Sequence, residues 1–406
     1  MKATEQYVRL CGSVGHLSKR LTGDSIVDAY FGPPELSPDR QNADMDPDSL
    51  VHELGCLVDN IKSTIRDPLR REYLLSDARS MQALVEWLGG AAISYAELVK
   101  RLFNIEMKSY SEGDIDRQIE RVDEAYAGFP GGDLRDRIDR FDRNGELSGQ
   151  ELKNLIEGEL QQKASDVGSL FKEKVFSKIG VRIRDNGVQY KAVIDKPWGS
   201  YNYYLGDFKS LNVFNIDYPN NPTQLLSATY HEYEHHVQSL CREHLLHKKR
   251  YLELSILPLH TGHCVILEGT ADSAKDFLGV ADEDPNARAI RARGRLYGMV
   301  MTNAAVMMNV RGLGVEETSE YISDRAFERP DIAPNVTRFF NPKADNGQPN
   351  IWAPYVFTYD IGRTDFVMPT FNKAVEQGLV AEFFKTLYLN PFSGSSATWK
   401  MAFDWL

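Results

Sequence analysis

The stretch Thr229-Tyr230-His231-Glu232-Tyr233-Glu234-His235-His236-Val237-Gln238 sets two histidines four residues apart, with a glutamate directly after the first. On an α-helix, positions i and i+4 lie roughly 40° apart around the axis, so the imidazoles of His231 and His235 can converge on one metal ion. Glu232 is rotated by about 100° from His231 and flanks such an ion without binding it. A carboxylate in that position can take the proton of a water activated by Zn²⁺, which is the general-base arrangement of zinc hydrolases. Composition alone gives about 0.03 occurrences of this pattern in a chain of 406 residues with 9 His and 58 acids. The competing reading is a solvated helix with stray histidines. It is weakened by clustering, since seven of the nine His fall between residues 231 and 263.

A catalytic zinc takes a third protein ligand and keeps a fourth position open. Glu268, 33 residues beyond His235 in Leu267-Glu268-Gly269-Thr270-Ala271-Asp272, is the expected third ligand. A lone carboxylate in so apolar a helix would otherwise be costly. His260 and His263 are rival third ligands at the entry to that helix. Asp272 follows Glu268 by one turn on the same face, where it can accept the second ring N–H of a ligand histidine. A plain surface acid is an equal alternative there. Further on, Tyr355, Tyr359 and Arg363 are spaced by four and share a helix face. Tyr359 is the expected catalytic donor to an oxyanion, while Tyr355 and Arg363 are expected to bind substrate, Arg363 by gripping a carboxylate with both guanidinium nitrogens. The competing reading for these three is a tyrosine packed with its hydroxyl on backbone and an arginine in a salt bridge.

The elements that must hold these residues are legible in outline. Asn221-Pro222 reads as N-cap and first helical position. Leu226, Tyr230, Tyr233, Val237 and Leu240 form an apolar stripe roughly opposite the two histidines, and the small Ser227 and Ala228 leave room one turn before them. Residues 1 to about 180 read as almost wholly helical, in hairpins, with a break at Gly32-Pro33-Pro34. The segment 141–151 resembles a calcium loop, with Asp142, Asn144 and Glu151 on ligand positions, but Arg140 would stand where a carboxylate is required. A turn at Asn144-Gly145 followed by a capping box from Ser148 to Glu151 is expected instead. Val188–Ile194 and Leu211–Ile216 read as strands, flanking an aromatic, turn-rich stretch at 200–206. The strand just before the motif can offer its edge to an extended substrate, or merely pack. Residues 284–328 predict two helices and 329–354 a long loop.

Composition bounds the rest. Charged residues make up 26% and hydrophobic ones 42%, and the net charge is -11. That acidity disfavours nucleic acid and anionic membrane as main partners. The start, from Lys2 on, shows no apolar leader, and the most apolar segment, 298–310, is too short to span a bilayer. Four scattered Cys without a Cys-x-x-Cys pair fit a reduced cytoplasm. Length and the absence of a linker predict a single two-part body, an N-terminal helical part (1–180) and a catalytic part (181–406).

Val27-Asp28-Ala29-Tyr30-Phe31-Gly32-Pro33-Pro34-Glu35-Leu36, the motif stretch, Leu267–Asp272 and Tyr359-Asp360-Ile361-Gly362-Arg363 succeed one another as in the bacterial proteins grouped as domain-of-unknown-function family 885. The chain resembles that family over nearly its whole length, and more distantly it is similar to gluzincins such as thimet oligopeptidase and carboxypeptidase Taq. His231, Glu232, His235 and Glu268 match position by position. Relatives often carry a Pro-Gly insertion between the His-Glu start and the double His, where this chain has only Tyr233-Glu234, so substrate preference is not carried over. The resemblance implies a mainly α, multi-helix gluzincin-like fold with a small sheet before the metal helix and a deep central groove suited to short peptides. The expectation is therefore a metallopeptidase with one Zn²⁺ per chain. A zinc hydrolase of a non-peptide amide and a zinc-containing binding protein without turnover are the alternatives. Oligomeric state is not legible.

Overall fold

The computed structural model describes residues 2–196, 199–280, 284–344 and 346–406 and is mainly α-helical. Helices Ala3–Thr22, Pro47–Thr64, Pro68–Leu88, Tyr95–Phe103, Glu112–Tyr126 and Leu134–Arg143 pack with the later helices Pro285–Asn309 and Val315–Ala326 around one large core. The caps explain the starts: Asp46, Asp67, Ser94, Ser111 and Asp133 each accept a backbone N–H of the first turn, and Pro comes directly after Asp46 and Asp67.

A continuous helical run from residue 149 to 179, with two π-helical stretches, belongs to a second core. That core also takes the back of helix Pro222–Lys249 and the C-terminal residues 367–403. The two cores therefore do not divide at residue 180; the run 149–179 packs with the C-terminal half of the chain. The expected capping box at Ser148 does not form, because its side chain accepts no helix N–H. The turn at Asn144-Gly145 is present, with Gly145 at φ 69°.

Strands β1 (Val27–Tyr30), β2 (Val188–Val193), β3 (Ser200–Gly206), β4 (Lys209–Asn215) and β5 (Ile256–Pro258) form two small sheets. β1 pairs antiparallel with β5, and the other sheet has the order β2-β4-β3. β4, the strand just before the motif helix, is parallel to β2 and antiparallel to β3. It is paired on both sides and has no edge to offer, so the strand that reaches the groove is β3, from the aromatic, turn-rich stretch. The β3–β4 turn puts Asp207 and Phe208 in the left-handed region, and their N–H groups donate to Glu243 of helix Pro222–Lys249 at 3.1 and 3.0 Å. A buried carboxylate thus clamps the hairpin to the helix.

Helix Gly262–Ala271 is buried along its entire length. Cys264 and Val265 belong to the first core and Ile266 to the second. A helix with so apolar a middle needs such a double burial. The site helices run along the seam between the two cores, and the groove opens there. Among the described residues, no helix is long and apolar enough to cross a membrane.

Candidate metal centre and its groove

The 28-residue helix Pro222–Lys249 starts as the sequence predicts. Asn221 Oδ1 accepts the N–H of Thr223 at 2.8 Å, while its Nδ2 donates to the carbonyls of Phe141, Asp142 and Asn144. The loop that mimics a calcium site thereby anchors the start of the motif helix. On the buried face, Tyr233 donates to Asp185 and stacks on Phe171 with ring centroids 5.9 Å apart. His236 lies between Ser210 Oγ (2.7 Å) and Asp185 (3.2 Å). These contacts fix the rotation of the helix about its axis and hence the direction of the opposite face.

That face carries His231 and His235, whose Nε2 atoms lie 3.0 Å apart. Glu268 Oε2 is 3.5 Å from each of them. His231 donates its Nδ1 proton to Asp272 Oδ1 at 2.8 Å, which leaves Nε2 as the lone-pair nitrogen. Tyr355 donates its hydroxyl to Glu268 Oε1 at 2.9 Å, while Oε2 is buried with no hydrogen-bond partner. With both imidazoles neutral, as metal binding requires, three electron-pair donors would face one another. A tetrahedral zinc with ligands at about 2.0–2.1 Å holds its donors roughly 3.3–3.4 Å apart, so the triangle has the right size and the right chemistry for this ion. Electrostatics agree. Burial would raise the Glu268 carboxyl, but the two imidazoles outweigh it and hold it at about 2. Burial would lower His231, but Asp272 and Glu268 outweigh it and hold it well above the usual histidine range. The triangle favours positive charge at its centre. His235 Nδ1 is buried and has no partner among the described residues.

Glu232 is 6% exposed and lines the same groove. Its Oε1 accepts from Ser200 Oγ of β3 at 2.7 Å. The hydroxyl of Tyr359 has no hydrogen-bond partner among the described residues, and the ring borders the groove. Burial, with Glu268, Asp272 and Glu232 nearby, holds this phenol well above its usual pKa, so it remains a proton donor. The rival ligands lie elsewhere: His260 faces the carbonyl of Ile351 at 2.7 Å and His263 that of Gly394 at 2.5 Å. Burial pulls them down to about 4 and about 3, as neutral core histidines.

Two residues expected at the substrate have other partners. Tyr355 bonds the Glu268 carboxylate. Arg363 donates to the carbonyl of Asp272 at 2.6 Å, to Ser273 Oγ at 3.2 Å and to Asp276 Oδ2 at 2.9 Å. It borders the groove, but its fork closes the end of helix Gly262–Ala271.

The groove has a volume of about 850 Å³. Some of its walls escape a reading of the sequence. Asp28 of β1 enters it, receives the Tyr201 hydroxyl, and is pushed by burial up to about 6. Ser200 enters from β3 and Lys275 from the segment after Asp272. Asp28 stands in the Val27–Leu36 segment that carries part of the family resemblance. Lys275 lies three residues beyond Asp272 but on the separate short helix Ala274–Leu278, so the spacing that joins Glu268 to Asp272 does not place it.

No family model matches the chain, and no curated protein does. Among solved structures it is similar to that of a "putative lipoprotein" from Colwellia psychrerythraea, with a TM-score of 0.53 and 15% identity over 89% of this chain and 70% of that one. A "putative lipoprotein of unknown function" from Shewanella oneidensis gives a TM-score of 0.46 and 12% identity over 87% and 72%. At this identity the first likeness is one of fold alone.

Proposed function

We propose that this chain is a zinc-dependent peptidase of short peptides, in keeping with the resemblance to family 885 and the gluzincins. The observation that carries this reading is the triangle of His231 Nε2, His235 Nε2 and Glu268 Oε2, with its 3.0 and 3.5 Å edges and Glu232 beside it. His231, His235 and Glu268 would hold the ion. When bound, zinc supplies Lewis-acid polarisation of a carbonyl and makes water a nucleophile near neutral pH.

The remaining work falls to side chains. Asp272 keeps His231 in the tautomer that presents Nε2. Tyr355 occupies one oxygen of Glu268 and turns the other towards the histidines. Ser200 occupies one oxygen of Glu232, which leaves Oε2 to accept the proton of the attacking water and return it to the leaving amine. The Tyr359 hydroxyl, free of partners among the described residues, donates to the carbonyl oxygen as charge develops on it. A groove of about 850 Å³ admits a short extended peptide and excludes a folded protein.

The test is a mixed synthetic peptide library digested by zinc-loaded protein and read by mass spectrometry, with a chelated control and the Glu232→Gln variant. Chelator-sensitive cleavage that Glu232→Gln abolishes while keeping its zinc is the expected result. Zinc binding without any cleavage would overturn it in favour of a non-peptide hydrolase or a binding protein.

A further inference from the structure

The cations along the groove differ in what they face. Arg363 and Arg291 both pair with Asp276, at 2.9 and 3.1 Å. Arg295 pairs with Asp360, and among the described residues the exposed Arg121 reaches only Gln118 Oε1 at 3.5 Å. Lys275 makes no ion pair among the described residues. Its ammonium donates to Ser227 Oγ and lies 5.5 Å from the centroid of the Tyr230 ring, a ring that Lys163 also covers at 5.0 Å. Burial lowers it to about 8, against the attraction of Asp284 and Asp276 and with Lys163 and Arg291 adding repulsion. A half-buried ammonium in a groove, held by a hydroxyl and a ring with no carboxylate at ion-pair distance among the described residues, is only partly compensated for its lost hydration.

Its position bears on the reaction. Ser227 precedes His231 by four residues, so the ammonium rests beside the helix about one turn, a rise of roughly 6 Å, before His231, the nearer of the two histidines. An extended residue spans about 3.3–3.6 Å. An anion at Lys275 therefore lies one or two residues beyond a carbonyl placed at the triangle. Of the acids nearby, Asp276 is neutralised twice over by Arg291 and Arg363 and Asp272 is engaged with His231, while Asp284 acts on the ammonium from beyond ion-pair distance.

We propose that Lys275 receives the free α-carboxylate of the substrate, so that the enzyme removes one or two residues from the C-terminus of short peptides. This rests on the peptidase reading and adds its mode of action. In that arrangement the carboxylate accepts from the ammonium, Ser227 can turn its own hydroxyl proton to the same carboxylate, and the peptide runs past the triangle towards Asp28. Arg363 positions the segment that carries Lys275 through its bonds to Asp272, Ser273 and Asp276.

The test uses zinc-loaded protein and one cleavable peptide in two forms, the free acid and the C-terminal amide, with steady-state kinetics on each. The expected result is a kcat/KM about tenfold to a hundredfold higher for the acid, carried mainly by KM. In Lys275→Met the ratio of acid to amide falls towards one, whereas Lys275→Arg keeps a preference for the acid. Zinc content measured on each variant, together with the ratio itself, separates this from misfolding, which lowers both substrates alike. Equal cleavage of acid and amide by the wild type, or an undiminished ratio in Lys275→Met, overturns the carboxylate site and leaves the peptidase reading standing. Absence of cleavage of either form overturns the peptidase reading and this one with it.

Discussion

Gly269 and Gly362 meet backbone to backbone: a Cβ placed on Gly269 would lie 2.2 Å from the carbonyl carbon of Gly362 and 2.6 Å from its oxygen. From the other side, a Cβ on Gly362 would lie 2.0 Å from the carbonyl oxygen of Val265. This contact fixes how closely helix Gly262–Ala271 approaches residues 353–376. It sits beside Glu268 and one residue before Arg363, so the same approach brings the Tyr355 hydroxyl to Glu268. The chain turns π-helical from Gly362 to Val367, and Pro369, which has no N–H to donate, stands just beyond.

Gly269→Ala should therefore destabilise the protein, although alanine is the better helix former. The intrinsic preference is worth about 1 kcal/mol in favour of Ala, whereas forcing a methyl against fixed backbone costs about 3 kcal/mol or more. Thermal unfolding should show a lower Tm and equilibrium dialysis a weaker hold on zinc. A Tm equal to or above that of the wild type would mean the helices can separate at no cost.

Tyr355→Phe removes one hydroxyl and leaves the ring. The Glu268 carboxylate then loses the donor on Oε1 and gains freedom to rotate. Zinc affinity should fall about tenfold to a hundredfold, the usual penalty for losing an outer partner of a metal ligand. Competition with a metal-binding dye measures it. Unchanged affinity with a raised KM would instead return Tyr355 to the substrate.

Ser200→Ala tests the support of Glu232, the proposed general base. The 2.7 Å bond from Ser200 aims Glu232 from a different element, β3. Its loss should lower kcat about threefold to thirtyfold with KM nearly constant, because the bond positions a proton acceptor and does not hold substrate. A change confined to KM would place Ser200 on the peptide.

Locality decides which parts of the site are legible in the sequence. The Asn221-Pro222 start, the apolar stripe through Tyr233 and Val237 and the pairing of His231 with His235 are all set within one helix, where spacing translates directly into direction. Glu268 and Asp272 are legible as a carboxylate pair on one helix face, and the fold brings them to the same histidine. The pairing of Val27–Tyr30 with Ile256–Pro258 is not, because strands of three or four residues separated by more than two hundred positions leave no periodic mark. For the same reason the sequence does not place Asp28 in the groove. Residue type alone does not show that Arg363 is engaged by an acid while Lys275 has none at ion-pair distance among the described residues. A guanidinium looks like the better carboxylate receptor until the structure supplies Asp276, which lies four residues beyond Asp272 and meets Arg363 only through the helix crossing at Gly269.

Asp77 gives a pH test away from the metal centre. It is fully buried in the first core, where Tyr7 donates to it at 2.8 Å. Burial pushes its carboxyl from 3.8 up to about 7, against the lowering by Tyr7, Arg242 and Thr261. A carboxyl with a raised folded-state pKa favours the folded protein fully below its unfolded value. That contribution is lost as pH rises from about 4 through about 7, because the folded state must then either keep a proton the unfolded chain has released or bury the charge. The loss is on the order of 3–4 kcal/mol over that range. Asp77→Asn keeps an acceptor for Tyr7 and cannot ionise. The denaturant midpoint of the wild type should therefore fall relative to that of Asp77→Asn between pH 5 and pH 8. Parallel profiles across that window would show that Asp77 is already ionised in the fold and that Arg242 outweighs its burial.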